Sequence, residues 1–162
     1  MLARSKGAAK VLVADRLASR LEAAEKAGAD RVVDVGRVDI ATVVRDETGG
    51  RGVDVIIVAC SEVSPSLLLK LLAPRGRLCL FSGLSAGDAQ TTGDFNLIHY
   101  RELAVIGAYG STAAQNTAAL RLIATGKIPV DWLITKRLSL DELPQGLEYV
   151  AKRAGLKAVV LS

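Results

Sequence analysis

Lys10-Val11-Leu12-Val13-Ala14-Asp15-Arg16 is an apolar run that ends in a carboxylate, and this carboxylate is the first group in the chain placed to do chemistry. A short run of Val, Leu and Ala bounded by charge reads as a strand buried on both faces of a parallel sheet. Doubly wound folds bind their ligands beyond the carboxyl ends of such strands, where an acidic residue takes hydrogen bonds from adenosine ribose hydroxyls. Asp15 can equally cap the helix that follows, and the residues alone leave both readings open. Ala59-Cys60-Ser61, Gly83-Leu84-Ser85 and Ala108-Tyr109-Gly110 also follow apolar runs and fall on the same side. Small residues there let a backbone approach a ligand closely, although ordinary turn chemistry accounts for them too. Gly49-Gly50-Arg51-Gly52 has the composition of a phosphate loop. It precedes its strand, however, so it lies at the opposite, amino end and reads as a structural turn. Cys60, Cys79 and the single His99 lack the short spacing of metal ligands. His99 reads as a surface or packing residue, and no Ser-His-Asp order or carboxylate pair stands out, so no catalytic or metal-binding residue is assigned.

Composition narrows the class. The 162 residues are half apolar and 23% charged, with a mean hydropathy of +0.31, enough for one folded domain with a sizeable core. No apolar run approaches the roughly 18 residues that span a bilayer, and the N-terminus lacks a signal-peptide pattern. Two cysteines far apart point to reduced thiols and a cytoplasmic setting. The net charge of +4 is spread along the chain without a basic stripe or interleaved aromatics, which argues against nucleic acid.

The elements that must position these groups alternate. Residues 1–7 read as the end of a helix stopped by Gly7. Strands are expected at residues 10–15, 31–35, 53–59, 77–81, 103–108 and 157–161, with 133–138 extended. Helices are expected at 17–27, 40–48, 63–72, 94–101, 112–125 and 141–152, with Glu22 and Lys26 as an i,i+4 pair in the first of these. Ser111 or Thr112 would cap the fifth helix, and Ser139 or Asp141 the sixth. Pro74 and Gly76 punctuate the approach to the fourth strand, and residues 82–93 form a polar loop. Strands alternating with helices of about ten residues give a parallel α/β sheet.

Several pieces stand in an order and spacing that is specific when taken together. They are Leu2-Ala3-Arg4-Ser5-Lys6-Gly7-Ala8, Val13-Ala14-Asp15-Arg16, Ala27-Gly28-Ala29-Asp30, Gly49-Gly50-Arg51-Gly52-Val53-Asp54-Val55 and Leu72-Ala73-Pro74-Arg75-Gly76-Arg77. Further on come Ile98-His99-Tyr100-Arg101-Glu102-Leu103, Gly107-Ala108-Tyr109-Gly110, residues 120–127 and Leu133-Ile134-Thr135-Lys136-Arg137. Over nearly the whole chain this pattern resembles the C-terminal half of the medium-chain, zinc-dependent alcohol and polyol dehydrogenases, nearest the sorbitol and threonine dehydrogenase branch. The resemblance implies a Rossmann-like, doubly wound parallel sheet lacking its first strand and Gly-rich loop. Residues 1–125 would be a truncated dinucleotide-binding domain, and 126–162 a segment that in the family returns toward the catalytic domain. It implies hydride transfer between a secondary alcohol and NAD, with zinc held only in a catalytic domain upstream. Asp15 becomes the ribose ligand, and its charge would repel a 2′-phosphate. Arg16 would lie over the adenine or point to water. Gly83, Leu84, Ala108 and Tyr109 would flank the nicotinamide, with Ala59 and Cys60 on the same rim.

Physical consequences follow from that resemblance. In the strand order 3-2-1-4-5-6 the absent strand is central and leaves a slot of about 10 Å, two strand spacings. Either a partner chain or a rerouted strand 157–161 is expected to fill it. Without the helix N-terminus and glycine loop, two or three charge-assisted hydrogen bonds to pyrophosphate are lost, each about 1.5–3 kcal/mol. Micromolar binding is worth about 8 kcal/mol, so NAD binding weaker than millimolar is expected of this chain alone. The apolar edge Leu103-Ala104-Val105-Ile106-Gly107-Ala108 carries no Lys or Pro to discourage pairing, and by resemblance it makes a homodimer. The reading is thus the cofactor-binding portion of an NAD-dependent dehydrogenase, inactive in isolation. A non-catalytic fold or oligomerisation module that binds no nucleotide is the alternative, and a methyltransferase-like Rossmann domain is disfavoured because the later segments match the dehydrogenase pattern.

Overall fold

The computed structural model describes residues 1–161 except Asp88 and Thr91. The chain forms two compact units, one of Met1–Arg37 with Thr112–Ser162 and one of Val38–Ser111. Every described strand ladder is parallel.

In the first unit, β1 (Leu12–Asp15) pairs with β2 (Arg31–Asp34), and α2 (Ala18–Lys26) packs on both. The register runs from Leu12 opposite Arg31 to Asp15 opposite Asp34. The short helix α1 (Leu2–Ser5) is pinned beside them. Arg4 donates to the carbonyls of Ala8 and Ala9 and pairs with Asp30, while Asp30 also accepts the Val11 amide at 2.6 Å. The Val11 amide and then the Arg4 guanidinium hold the Asp30 carboxyl below its ordinary range. Gly7 and Gly28, both at positive φ, end α1 and α2 as expected. Lys26 sits 4.7 Å from the Trp132 ring centroid rather than pairing with Glu22. A second ladder joins β6 (Ile134–Ser139) to β7 (Lys157–Leu161), with α7 (Leu143–Ala151) against both. The expectation that strand 157–161 is rerouted into the slot is therefore corrected, because its ladder partner is β6. Helix α6 (Ala113–Ala124) opens with a capping box between Thr112 and Gln115.

In the second unit, β3 (Val53–Val58), β4 (Leu72–Leu80) and β5 (Ala104–Gly107) form a three-stranded sheet in that order. Helices α3 (Ile40–Thr48), α4 (Pro65–Leu71) and α5 (Phe95–Tyr100) complete the unit. The core is Val58, Leu69, Leu72, Leu78 and Leu103, with Leu97 and Ile98 of α5 packed against it. Alternation along β3 leaves Val55 and Ile57 exposed on the other face. β4 starts five residues earlier than the sequence suggests. Leu72 pairs with Val53 and Arg77 with Val55, so residues 73–76 bulge between two paired stretches of one strand. The bulge holds Arg75 at φ 61, where its guanidinium meets Glu102, itself at φ 52, at 2.6 Å. Among the described residues β1 pairs only with β2, and β3 only with β4.

Candidate functional site

The strand β1 delivers Asp15 to its carboxyl end, half-buried, as the sequence suggests. Oδ1 accepts the backbone N–H of Arg16 at 2.7 Å and of Leu17 at 2.9 Å. The N-cap of α2 is Leu17, so Asp15 does not cap that helix. Its Oδ1 shapes the turn between strand and helix instead. Oδ2 accepts no hydrogen bond among the described residues. Arg16 is exposed beside it.

One neighbour was not singled out from the sequence. Asp34 ends β2 directly opposite Asp15, so the two strands bring a pair of carboxylates to one end. Asp34 Oδ1 accepts the Gly36 amide at 2.9 Å, and Oδ2 lies 3.1 Å from Arg37 Nε. The signal in the sequence was the same as for Asp15, a carboxylate closing an apolar strand, but pairing Asp34 with Asp15 requires the register.

The remaining candidates gather on the carboxyl rim of the β3-β4-β5 sheet. Ala59 and Cys60 follow β3 and are exposed. Gly83 and Leu84 follow β4, where the Ser82 amide donates to Val58 O at 2.9 Å and the Ser85 amide to Ser61 O at 2.9 Å. Ala108 and Tyr109 follow β5, with the Ala108 amide on Leu80 O at 3.0 Å and the Tyr109 side chain fully exposed. A Cβ at Gly83 or Gly107 would meet no atom within 4 Å, so the space above this rim is open. The structure thus brings Ala59, Cys60, Gly83, Leu84, Ala108 and Tyr109 to one rim of the second unit. Asp15 and Arg16 stand at the carboxyl end of β1 in the first.

The glycine-rich turn lies at the other end of its sheet. Its amides are spent within the turn: Gly50 N–H donates to Arg45 O at 2.8 Å, Arg51 N–H to Thr48 O at 3.3 Å and Gly52 N–H to Thr48 Oγ1 at 3.0 Å. None remains to cradle a phosphate. His99 is exposed on α5, edge-on to Tyr100 at 5.0 Å between ring centroids. Both cysteines are free thiols. Among the described residues no three His, Cys, Asp or Glu side chains come together as a metal-binding group, so these residues do not fit a zinc ion. A ribose fits better, since a half-buried carboxylate held by two amides offers Oδ2 to a hydroxyl.

Residues 1–125 match the family model described as zinc-binding dehydrogenase. The chain is 32% identical to the erythritol/L-threitol dehydrogenase of Mycolicibacterium smegmatis over 162 residues, covering 99% of the chain and 43% of that protein. It is 34% identical to the L-threonine 3-dehydrogenase of Pyrococcus horikoshii over 160 residues, covering 95% of the chain and 44% of that protein. Among solved structures, a zinc-binding dehydrogenase from Sinorhizobium meliloti bound to NADP superposes with a TM-score of 0.84 at 31% identity, covering 99% of this chain and 47% of that one. The chain therefore spans less than half the length of the curated relatives it matches. With 125 of its 162 residues inside the family model and a parallel α/β architecture throughout, the chain belongs to the zinc-binding dehydrogenase family and corresponds to that family's Rossmann-like, cofactor-binding part.

Proposed function

We propose that this chain is the cofactor-binding portion of an NAD-linked, zinc-type alcohol or polyol dehydrogenase. The observation that carries the reading is Asp15, which ends β1 with Oδ1 tied to two backbone amides and Oδ2 left for a ribose hydroxyl. A carboxylate held this way is pre-oriented, so accepting a hydroxyl costs little further ordering. Arg16 lies beside the adenine. Gly83, Leu84, Ala108 and Tyr109 flank the nicotinamide, with Ala59 and Cys60 on the same rim. Polyols or an amino alcohol, as named for the Mycolicibacterium and Pyrococcus relatives, are the substrate class. The zinc of such an enzyme is held by residues outside this chain, which alone is inactive and binds NAD more weakly than millimolar.

NAD is preferred over NADP because Asp15 and Asp34 bring two carboxylates to the strand ends that meet the ribose. Like charge disfavours a 2′-phosphate there. The Sinorhizobium relative was solved bound to NADP, so the preference is read by titrating both nucleotides. β5 offers a second copy its outer edge, where Val105 and Ile106 are 47% and 46% exposed, and a homodimer through residues 103–108 is the assembly we assign. The setting is cytoplasmic, in keeping with two free thiols. Among the described residues no helix is long and apolar enough to cross a membrane. Calorimetric titration with NAD and NADP tests the reading. NAD binding that is weak, stronger than NADP binding and lost in Asp15→Asn supports it. No nucleotide binding at any concentration favours the non-catalytic module.

A further inference from the structure

The amino end of the β3-β4-β5 sheet carries a cleft that the cofactor reading does not use. It has a volume of about 370 Å³ and lies between α3 and α4, where Arg45, Arg51, Lys70 and Arg101 line it. Asp39 is the one acid in the lining. Its carboxylate is committed to α3, accepting the amides of Ala41 and Thr42 and the Thr42 hydroxyl. Arg51 reaches Asp54 at 2.7 Å and Arg45 reaches Asp46 at 3.6 Å, both at the exposed surface. Lys70 and the half-buried Arg101 have no side-chain hydrogen bond or ion pair among the described residues. With Asp46 and Asp54 counted beside Asp39, the four cations meet three acids, a net charge of +1 carried by Lys70 and Arg101. Two cations without counter-ions on one concave surface repel each other and favour a bound anion.

The floor of the cleft is closely packed. Leu72 is fully buried and Leu71 nearly so. A Cβ on Gly52 would lie 2.7 Å from Leu71 O, so the turn can pass this close to the head of β4 only as glycine. The volume falls within the range of small-molecule sites and is too small for a folded partner segment. A guanidinium offers paired N–H donors to an oxyanion, and an ammonium adds a point charge.

We propose that this cleft is a second ligand site, distinct from the cofactor site, that takes a small phosphate ester, with Lys70 and Arg101 holding the phosphate and the exposed Leu67 side chain facing the organic part. This site is independent of the dehydrogenase reading, because it uses none of the groups at the carboxyl ends of the strands. The test is titration of the full chain with glycerol 3-phosphate, inorganic phosphate and glycerol, followed by calorimetry and by amide shifts of Gly50–Gly52 and Lys70–Leu72. Glycerol 3-phosphate is expected to bind with 1:1 stoichiometry and more tightly than inorganic phosphate, with glycerol silent. Lys70→Gln and Arg101→Gln should each weaken binding at least about tenfold, or about 1.4 kcal/mol. Asp15→Asn should leave it unchanged. Circular dichroism and thermal melts of both variants check that they fold. If Arg101→Gln does not fold, exposed Lys70→Gln decides the matter alone. Inorganic phosphate binding as tightly as the ester would overturn the assignment to an ester. No saturable binding in the millimolar range, or binding that folded Lys70→Gln retains, would overturn the site.

Discussion

Asp15 and Asp34 stand opposite one another as the last residues of two parallel strands, yet their carboxylates are used differently. Asp34 is engaged by the Gly36 amide and by Arg37 at 3.1 Å, whereas Asp15 spends one oxygen on the turn and keeps the other available. Neighbouring parallel strands lie about 4.8 Å apart, so a ribose bound to Asp15 also feels the charge of Asp34. NADP should therefore bind at least about tenfold more weakly than NAD, a difference of about 1.4 kcal/mol. Asp34→Asn should narrow that ratio while leaving the NAD affinity within about twofold of the parent. Competition between the two nucleotides, followed by amide shifts, measures both.

The outer edge of β5 can be tested without disturbing its inner ladder. The Ala108 amide donates to Leu80 O, so by the alternation of a strand the amides of residues 104 and 106 also face β4, while that of Val105 faces outward. Val105→Pro removes only an outward donor, the position where proline is tolerated in a sheet. Light scattering should give a dimer for the parent chain and a folded monomer for the variant. A dimer that survives the substitution places the interface elsewhere.

Two glycines of the turn before β3 separate backbone strain from crowding. Gly50 has φ 83, and a Cβ added there would meet nothing within 4 Å. Gly52 has φ 89, and a Cβ added there would meet backbone atoms of Leu71 and Leu72 at 2.7 Å. Gly50→Ala should cost about 1 kcal/mol from the left-handed conformation alone. Gly52→Ala should cost at least about 2 kcal/mol, because the ladder between Val53 and Leu72 must also shift. Urea unfolding of the two variants gives the comparison.

The cap of α3 supplies a pH dependence with a definite sign. The Ala41 amide first, then the Thr42 hydroxyl, hold the Asp39 carboxyl below its ordinary range. A folded-state pKa below the unfolded one means a contribution that is complete above the unfolded value, near about 3.9. It is lost as the pH falls through the folded value. The difference in melting temperature between the parent and Asp39→Asn should be constant above about pH 5 and shrink below about pH 4. A difference that grows on acidification contradicts this account.

Local signals carried much of the fold. Helix 40–48 and strand 157–161 are found at the expected bounds, since Asp39 and Gly49 cap the first and an unbroken apolar run makes the second. The early start of β4 was hidden because Pro74, Arg75 and Gly76 have turn chemistry, and only the partner strand shows that Leu72 is already paired. The ladder between β6 and β7, and the partnership of Asp15 with Asp34, were likewise hidden in long-range register. Asp15 itself was legible because a carboxylate ending an apolar strand needs no distant partner to be noticed. Its rival role as a helix cap could be decided only by the geometry that places Leu17 at the cap.

We propose that Asp15 receives the ribose of a nicotinamide dinucleotide. Titration of the 15N-labelled chain with NAD in the millimolar range tests it most directly, because the amides of Arg16 and Leu17 report on the carboxylate to which they donate. Progressive shifts at Arg16, Leu17 and Gly36 that do not reach saturation are expected, together with their loss in Asp15→Asn. Shifts of the same size in Asp15→Asn, or NAD binding that leaves these amides unmoved, would contradict it.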